Sequence, residues 1–155
     1  MTPAINLLEQ LNIEYQLHQY HHDESAPSYG LEAAEKLAVD SERIFKTLVV
    51  ESESHQLAVA IIPVEKQLSL KCLAKSLKCK KISMADPKRV QATTGYILGG
   101  VSPIGQKKRL ATIIDASSKA FTSIFVSGGK RGLEIEISPE QLVKITQASC
   151  VIITA

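Results

Sequence analysis

The sequence predicts an α+β fold: one domain over residues 1–155, in which helices flank a mixed, curved sheet, open or barrel-like. Three observations predict it. Alternating apolar stretches and helix-start signals interleave irregularly, giving about seven strands and four or five helices, a pattern unlike a regular βαβ repeat or an all-β chain. Hydrophobic residues make up 45% and charged residues 22%, the balance of an ordinary globular protein. No internal repeat or linker interrupts the 155 residues, a length that can bury a sizeable core without staples.

The elements follow in order. Thr2 caps a first helix with Pro3 at its first position, and Ile5, Leu8 and Leu11 give it an apolar stripe. Ile13, Tyr15 and Leu17 alternate, which predicts a strand reaching Tyr20. Residues 21–28 are polar and predict a loop. Leu31, Ala34 and Leu37 predict a second helix. Phe45 to Glu51 and Gln56 to Pro63 predict two strands joined by a turn at Ser52-Glu53-Ser54-His55. Ser69 to Leu77 predicts a third helix with Leu70, Leu73 and Leu77 on one face, and Lys81 to Met84 a short strand. Asp86-Pro87 starts a fourth helix that Gly95 stops. After a glycine-rich loop come strands at Thr112 to Asp115, Thr122 to Ser127 and Leu133 to Ile137. In the last of these, Glu134 and Glu136 share one face, the pattern of a strand wet on one side. Ser138-Pro139-Glu140-Gln141 reads as a capping box opening a helix to about Thr146, and Val151 to Ile153 as a closing strand.

Several function classes are excluded. The net charge of +2 is only mildly basic and does not by itself imply nucleic acid. Cys72, Cys79 and Cys150 are odd in number, contain no CxxC and sit in no nucleophile context, so reduced thiols in a cytoplasmic protein are expected. The start, Met1-Thr2-Pro3-Ala4, reads as a helix start rather than a charged leader, and no apolar run is long enough to span a membrane. His18 and the His21-His22-Asp23 run lack metal-ligand spacing, and there is no Gly-x-Ser-x-Gly elbow. Gly100 and Gly105 have P-loop spacing, but Gln106 stands where that motif needs lysine, which excludes nucleoside triphosphate binding there.

The strongest positive signal is Lys46. In Phe45-Lys46-Thr47-Leu48-Val49-Val50, alternate side chains share a face, so Lys46 lies with Leu48 and Val50 while Thr47 points the other way. A cation among buried apolar neighbours either snorkels at a strand edge or lines a pocket. Gly99-Gly100 lets backbone approach a ligand and aim N–H groups at it, or makes a tight structural turn. Ser127-Gly128-Gly129-Lys130-Arg131-Gly132 is a second glycine turn that either faces the first across a pocket or closes a hairpin. Lys71, Lys75 and Lys78 form a basic stripe, and Lys80-Lys81, Lys107-Lys108-Arg109 and Lys130-Arg131 add cations, each a solvated surface or part of a phosphate-contacting rim.

Phe45-Lys46-Thr47-Leu48, Met84-Ala85-Asp86-Pro87, Thr94-Gly95-Tyr96, the Gly99 to Arg109 run and Ser127 to Leu133 together give the chain a resemblance. It resembles, from end to end, the YbaK/prolyl-tRNA synthetase editing-domain superfamily, and within it the Cys-tRNA(Pro) deacylases. The resemblance implies a strongly curved, barrel-like mixed sheet with flanking helices and a deep pocket, and neither cofactor nor metal. It implies trans-editing of mischarged tRNA(Pro) alongside prolyl-tRNA synthetase, away from any membrane. Such a second site is needed because apolar pockets reject near-isosteres by only ~10–200-fold. By position, Lys46 would hold the terminal adenosine or phosphate, and Gly99 would offer its backbone to the aminoacyl carbonyl. Tyr20, Tyr29, Thr47, Gly100, Ser127 and Glu134 would bind substrate. Tyr29 stands where the family commonly has Phe, and Glu134 where it has Asp. The substrate's own thiol would attack the ester. A sister deacylase of Ala-tRNA(Pro) and a non-catalytic tRNA- or synthetase-binding module are the alternatives.

Overall fold

A computed structural model describes residues 1–26 and 28–155; Pro27, within the loop predicted over 21–28, lies outside the described residues. The helix starts are made by the side chains that the sequence offers. Thr2 accepts the Ile5 N–H at 3.3 Å and opens α1 (Pro3–Gln10). After β1 (Gln16–Gln19), Ser28 caps α2 (Tyr29–Leu37) and Asp40 caps a single 3₁₀ turn (Ser41–Arg43). The hairpin β2 (Phe45–Ser52) and β3 (Leu57–Pro63) pairs Lys46 with Ile62 and Glu51 with Leu57. Ser69 caps α3 (Leu70–Leu77), and β4 (Ile82–Met84) returns to the β2 edge. Asp86 accepts two N–H groups at the start of α4 (Pro87–Thr94), and Gly95, at φ +84°, ends it in the left-handed region. Then come β5 (Ala111–Asp115), a 3₁₀ segment (Ala116–Ala120), β6 (Ile124–Ser127) and β7 (Leu133–Ile137). Ser138 caps α5 (Pro139–Thr146), and β8 (Ser149–Val151) ends the order.

Among the described residues eight strands form two sheets, β1-β7-β6 and β4-β2-β3-β5-β8. The first is antiparallel; in the second, β3–β5 and β5–β8 are parallel. The mixed α+β class is as predicted. The barrel is not, because neither sheet closes: the two meet through an isolated parallel bridge between Ile44 and Phe125. The larger sheet is covered on both faces. Val49, Val59, Ile61 and Ile114 pack with Val126, Ile135 and Ile137 of the smaller sheet. Val50, Ala60, Ile62 and Ile113 pack with Leu73 of α3. A third cluster seats Ala33 and Ala34 of α2 on Ile44, Val64 and Phe125, at the start of the β2 strand.

Several details depart from the sequence reading. In α2 the buried residues are Glu32, Ala33 and Ala34, while Leu31 is 44% exposed. The helix is rotated because Glu32 is drawn inward: it accepts from the Asp23 N–H (2.7 Å), pairs with His22 (2.7 Å) and with Lys36 (3.1 Å). Leu70 of α3 is likewise exposed, and only Leu73 is fully covered. The capping box at α5 is half made. Ser138 Oγ accepts the Gln141 N–H at 3.2 Å, but Gln141 Oε1 is buried without a partner. The wet-face reading of Glu134 and Glu136 fails: β7 lies between β1 and β6, Glu134 is buried, and Glu136 is engaged by His18 (2.9 Å) and Arg43 (3.1 Å).

Candidate active site

A cavity of about 360 Å³ opens where β2 begins, walled by α2, β2, the Gly99 loop and the turn between β6 and β7. Its volume lies in the range of small-ligand pockets. Lys46, Gly99, Tyr20, Tyr29, Thr47, Ser127 and Glu134 all line it. Gly100 does not. Its N–H donates to Ile97 O at 2.9 Å, and a Cβ there would stand 2.9 Å from Lys130 Cα. The second glycine of the pair thus lets two turns touch and lies off the cavity wall.

Lys46 reaches the cavity because it lies nearer the strand start than the residues α3 covers. Leu48 and Val50, on its face, pack into the α3 cluster. The ammonium is half-buried, and among the described residues it has no anionic partner; desolvation alone holds its pKa below the ordinary lysine value. Thr47 belongs to the opposite face, yet the cavity wraps round the start of β2 and Thr47 joins its wall. Its Oγ1 is buried and has no hydrogen-bond partner among the described residues.

Gly99 sits at φ +93°, a backbone conformation that favours glycine. A Cβ there would meet the Arg131 guanidinium at 2.8 Å and the Tyr29 ring at 2.9 Å. Among the described residues its N–H donates to no protein group, whereas that of Gly100 is engaged. The loop carrying it is braced by its own hydrogen bonds. Ser102 Oγ accepts from Ile104 N (3.2 Å), Gln106 Nε2 donates to Ser102 O (3.0 Å), and the Tyr96 hydroxyl donates to Ile104 O (2.6 Å). Burial pushes the Tyr96 hydroxyl up to about 12. The Ser-Pro-x-Gly-Gln part of the motif is therefore scaffold for the Gly99 amide.

Arg131 and Lys130 also line the cavity, and the Arg131 guanidinium lies 4.0 Å from the Tyr29 ring centroid. The sequence places both in the second glycine turn, as solvated surface or as part of a phosphate-contacting rim, without a role at the site. That turn does not face the Gly99 loop across a space but packs directly against it. Tyr20 stands beside these groups with its hydroxyl pushed up to about 12 by burial, then by Glu134 and Glu32. Burial pushes the Glu134 carboxyl up to about 8. Near neutral pH Glu134 is then mostly uncharged, and Lys46, Lys130 and Arg131 leave the cavity cationic, suited to an anionic ligand. Among the described residues, no histidine or cysteine is on its wall. Among the described residues, no three His, Cys, Asp or Glu side chains gather as a metal ion would need.

Residues 24–145 match the model of the aminoacyl-tRNA editing domain. The chain belongs to that family and is by class an aminoacyl-tRNA deacylase, an enzyme. It is 39% identical over 153 residues to EbsC of Enterococcus faecalis, covering 99% of this chain and 93% of the relative, which bears the provisional name Cys-tRNA(Pro)/Cys-tRNA(Cys) deacylase. It is 36% identical over 69 residues to the proline–tRNA ligase of Moorella thermoacetica, over 44% of this chain and 12% of the ligase. The fold matches a crystal structure provisionally described as a trans-editing enzyme for prolyl tRNA synthetase, with TM-score 0.86 and 19% identity, over 100% of this chain and 98% of the other. No helix is long and apolar enough to cross a membrane among the described residues.

Proposed function

We propose that the protein clears cysteine from mischarged tRNA(Pro), in trans and beside prolyl-tRNA synthetase, by letting the substrate's thiol cleave its own ester. One observation supports the reading: half-buried Lys46, without an anionic partner, and Gly99, whose N–H has no protein acceptor, line one cationic cavity with no cysteine or histidine among the described residues of its wall. A site without a base-activated protein nucleophile suits a substrate that brings its own.

The cationic wall binds the terminal nucleotide of the acylated tRNA. Lys46 holds its phosphate or adenosine and so orients the ester, and Tyr20, Thr47 and Ser127 contact the acylated end. The cysteine sulfur attacks the carbonyl carbon, and the bond from that carbon to the ribose oxygen breaks. The thiol proton passes to the ribose oxygen. The products are tRNA with its hydroxyl restored and a four-membered thiolactone, which water then opens to cysteine. The Gly99 N–H donates to the carbonyl oxygen as it gains charge. An intramolecular attack held in line has an effective molarity on the order of 10⁵ M or more, so positioning supplies most of the acceleration. Selectivity follows: serine is the poorer nucleophile and alanine has none.

The test is a panel of tRNA(Pro) carrying cysteine, serine or alanine, with products resolved over time. Rapid release from cysteine alone, with thiolactone before free cysteine, is expected. Alanine released as fast as cysteine would overturn the thiol mechanism and favour a sister deacylase. Binding without release of any amino acid would favour an adaptor.

A further inference from the structure

A second cavity, of about 330 Å³, lies at the far end of the β2–β3 hairpin. Arg89 of α4 and Lys108 and Arg109 line it, and no acidic residue does. The Lys107-Lys108-Arg109 run is the part of the long glycine motif that the editing site leaves unexplained. It is fixed in place: the Lys107 N–H donates to Thr94 O (2.9 Å) and the Lys108 N–H to Thr93 O (3.1 Å), binding the run to the end of α4. Arg89 is fixed as well. It pairs with Glu51 through Nη1 and donates from Nη2 to His55 O at 3.1 Å. Glu51 also accepts from His55 at 3.0 Å, so this carboxylate is already engaged. Lys108 and Arg109 are exposed, and neither has an ion-pair partner among the described residues.

We infer that this cavity is a phosphate-binding subsite for the RNA backbone of the same substrate, separate from the site that holds its acylated end. The inference rests on the editing reading. The hairpin supplies the spacing. The Glu51–Leu57 pair is five residues along β2 from the Lys46–Ile62 pair, about 16 Å at ~3.3 Å per residue. That is the rise of four or five stacked nucleotides at ~3.4 Å each, so a strand leaving the first cavity carries several phosphates over this distance. Lys108 and Arg109, exposed on a backbone segment tied to α4 and without ion-pair partners among the described residues, are cations that a phosphodiester takes, and the contact reads no sequence.

The test compares wild type with a Lys108→Gln/Arg109→Gln double variant, and with Lys71→Gln/Lys75→Gln on α3 as a control for charge elsewhere. Binding of uncharged tRNA(Pro) is followed by fluorescence anisotropy across salt concentrations, and turnover is followed on Cys-tRNA(Pro) and on a cysteinyl ester of adenosine. Loss of two phosphate contacts should weaken tRNA binding on the order of tenfold at ~0.1 M salt and lower the salt slope by about 1.5. It should raise KM for Cys-tRNA(Pro) with kcat unchanged, and leave turnover of the small ester unaltered. An unchanged slope, an equal loss in the α3 variant, or an equal loss on the small ester would each overturn the inference. Should wild type turn over neither ester, the editing reading fails, while the anisotropy slopes still decide the subsite.

Discussion

Glu134 offers the sharpest thermodynamic test, because its burial and its charge oppose each other. The residue is 8% exposed, and desolvation raises its carboxyl from 4.5 to about 8. Below the ordinary value, folded and unfolded chains both hold the proton, and ionisation costs the fold nothing. Between the two values the unfolded chain has released it while the folded chain still keeps it, so each added pH unit favours unfolding. Above the upper value the whole penalty stands. At ~1.4 kcal/mol per unit the ceiling is about 5 kcal/mol. Burial alone raises the carboxyl, and relaxation of the site around the charge lowers the cost, so we expect about 2 kcal/mol or more. Glu134→Gln keeps the shape and removes the ionisation. Urea unfolding at intervals from about pH 5 to about pH 8 should show the variant gaining on wild type as pH rises. A stability difference that stays flat across that window would refute the assignment of Glu134 as a neutral wall residue.

Three further outcomes follow from contacts already described. Gly99→Ala should lose deacylation and cost about 1–2 kcal/mol by thermal unfolding, because a Cβ at φ +93° meets both Arg131 and Tyr29. Glu32→Gln should destabilise the protein by roughly 3 kcal/mol at neutral pH, since it breaks a buried hub for His22, Lys36 and the Asp23 N–H. Burial raises the Glu32 carboxyl, but its hydrogen bonds to His22, the Asp23 N–H and Lys36 outweigh burial and hold it below the ordinary value. That contribution is present above the ordinary carboxyl value and is lost as pH falls through the lowered one, so the gap between the two proteins should close in acid. Gly30→Ala puts a Cβ 2.0 Å from Val64 Cγ2 on the cavity wall, and should cost about 1–3 kcal/mol as read by urea midpoint.

Local signals in the sequence are legible where one side chain decides the outcome. Thr2, Ser69, Asp86 and Ser138 cap the helices they announce, and the β2–β3 hairpin keeps its turn. Lys46 stood out because a cation breaks an apolar alternation, and it does line a cavity. What stayed hidden depends on partners far along the chain. The inward turn of α2 is driven by a carboxylate that hydrophobic periodicity counts as surface. Glu134 and Glu136 have the spacing of a wet face, but Glu134 is buried and Glu136 is engaged by His18, from β1 more than a hundred residues away, and by Arg43. Sheet closure likewise depends on how far the two sheets pair, and they meet through the Ile44–Phe125 bridge rather than a continuous ladder. Arg131 reached the site through the contact between the two glycine turns, which neither turn reveals alone.

The central claim is that the recessed Lys46 amine orients the acylated nucleotide. Single-turnover release of cysteine from Cys-tRNA(Pro) by Lys46→Met tests it most directly, with urea unfolding of the same variant alongside. The account predicts turnover lowered by two or more orders of magnitude with stability kept or raised, because a desolvated cation without a partner is replaced by an apolar chain of similar length. Cysteine released at the wild-type rate by a folded Lys46→Met protein would contradict it.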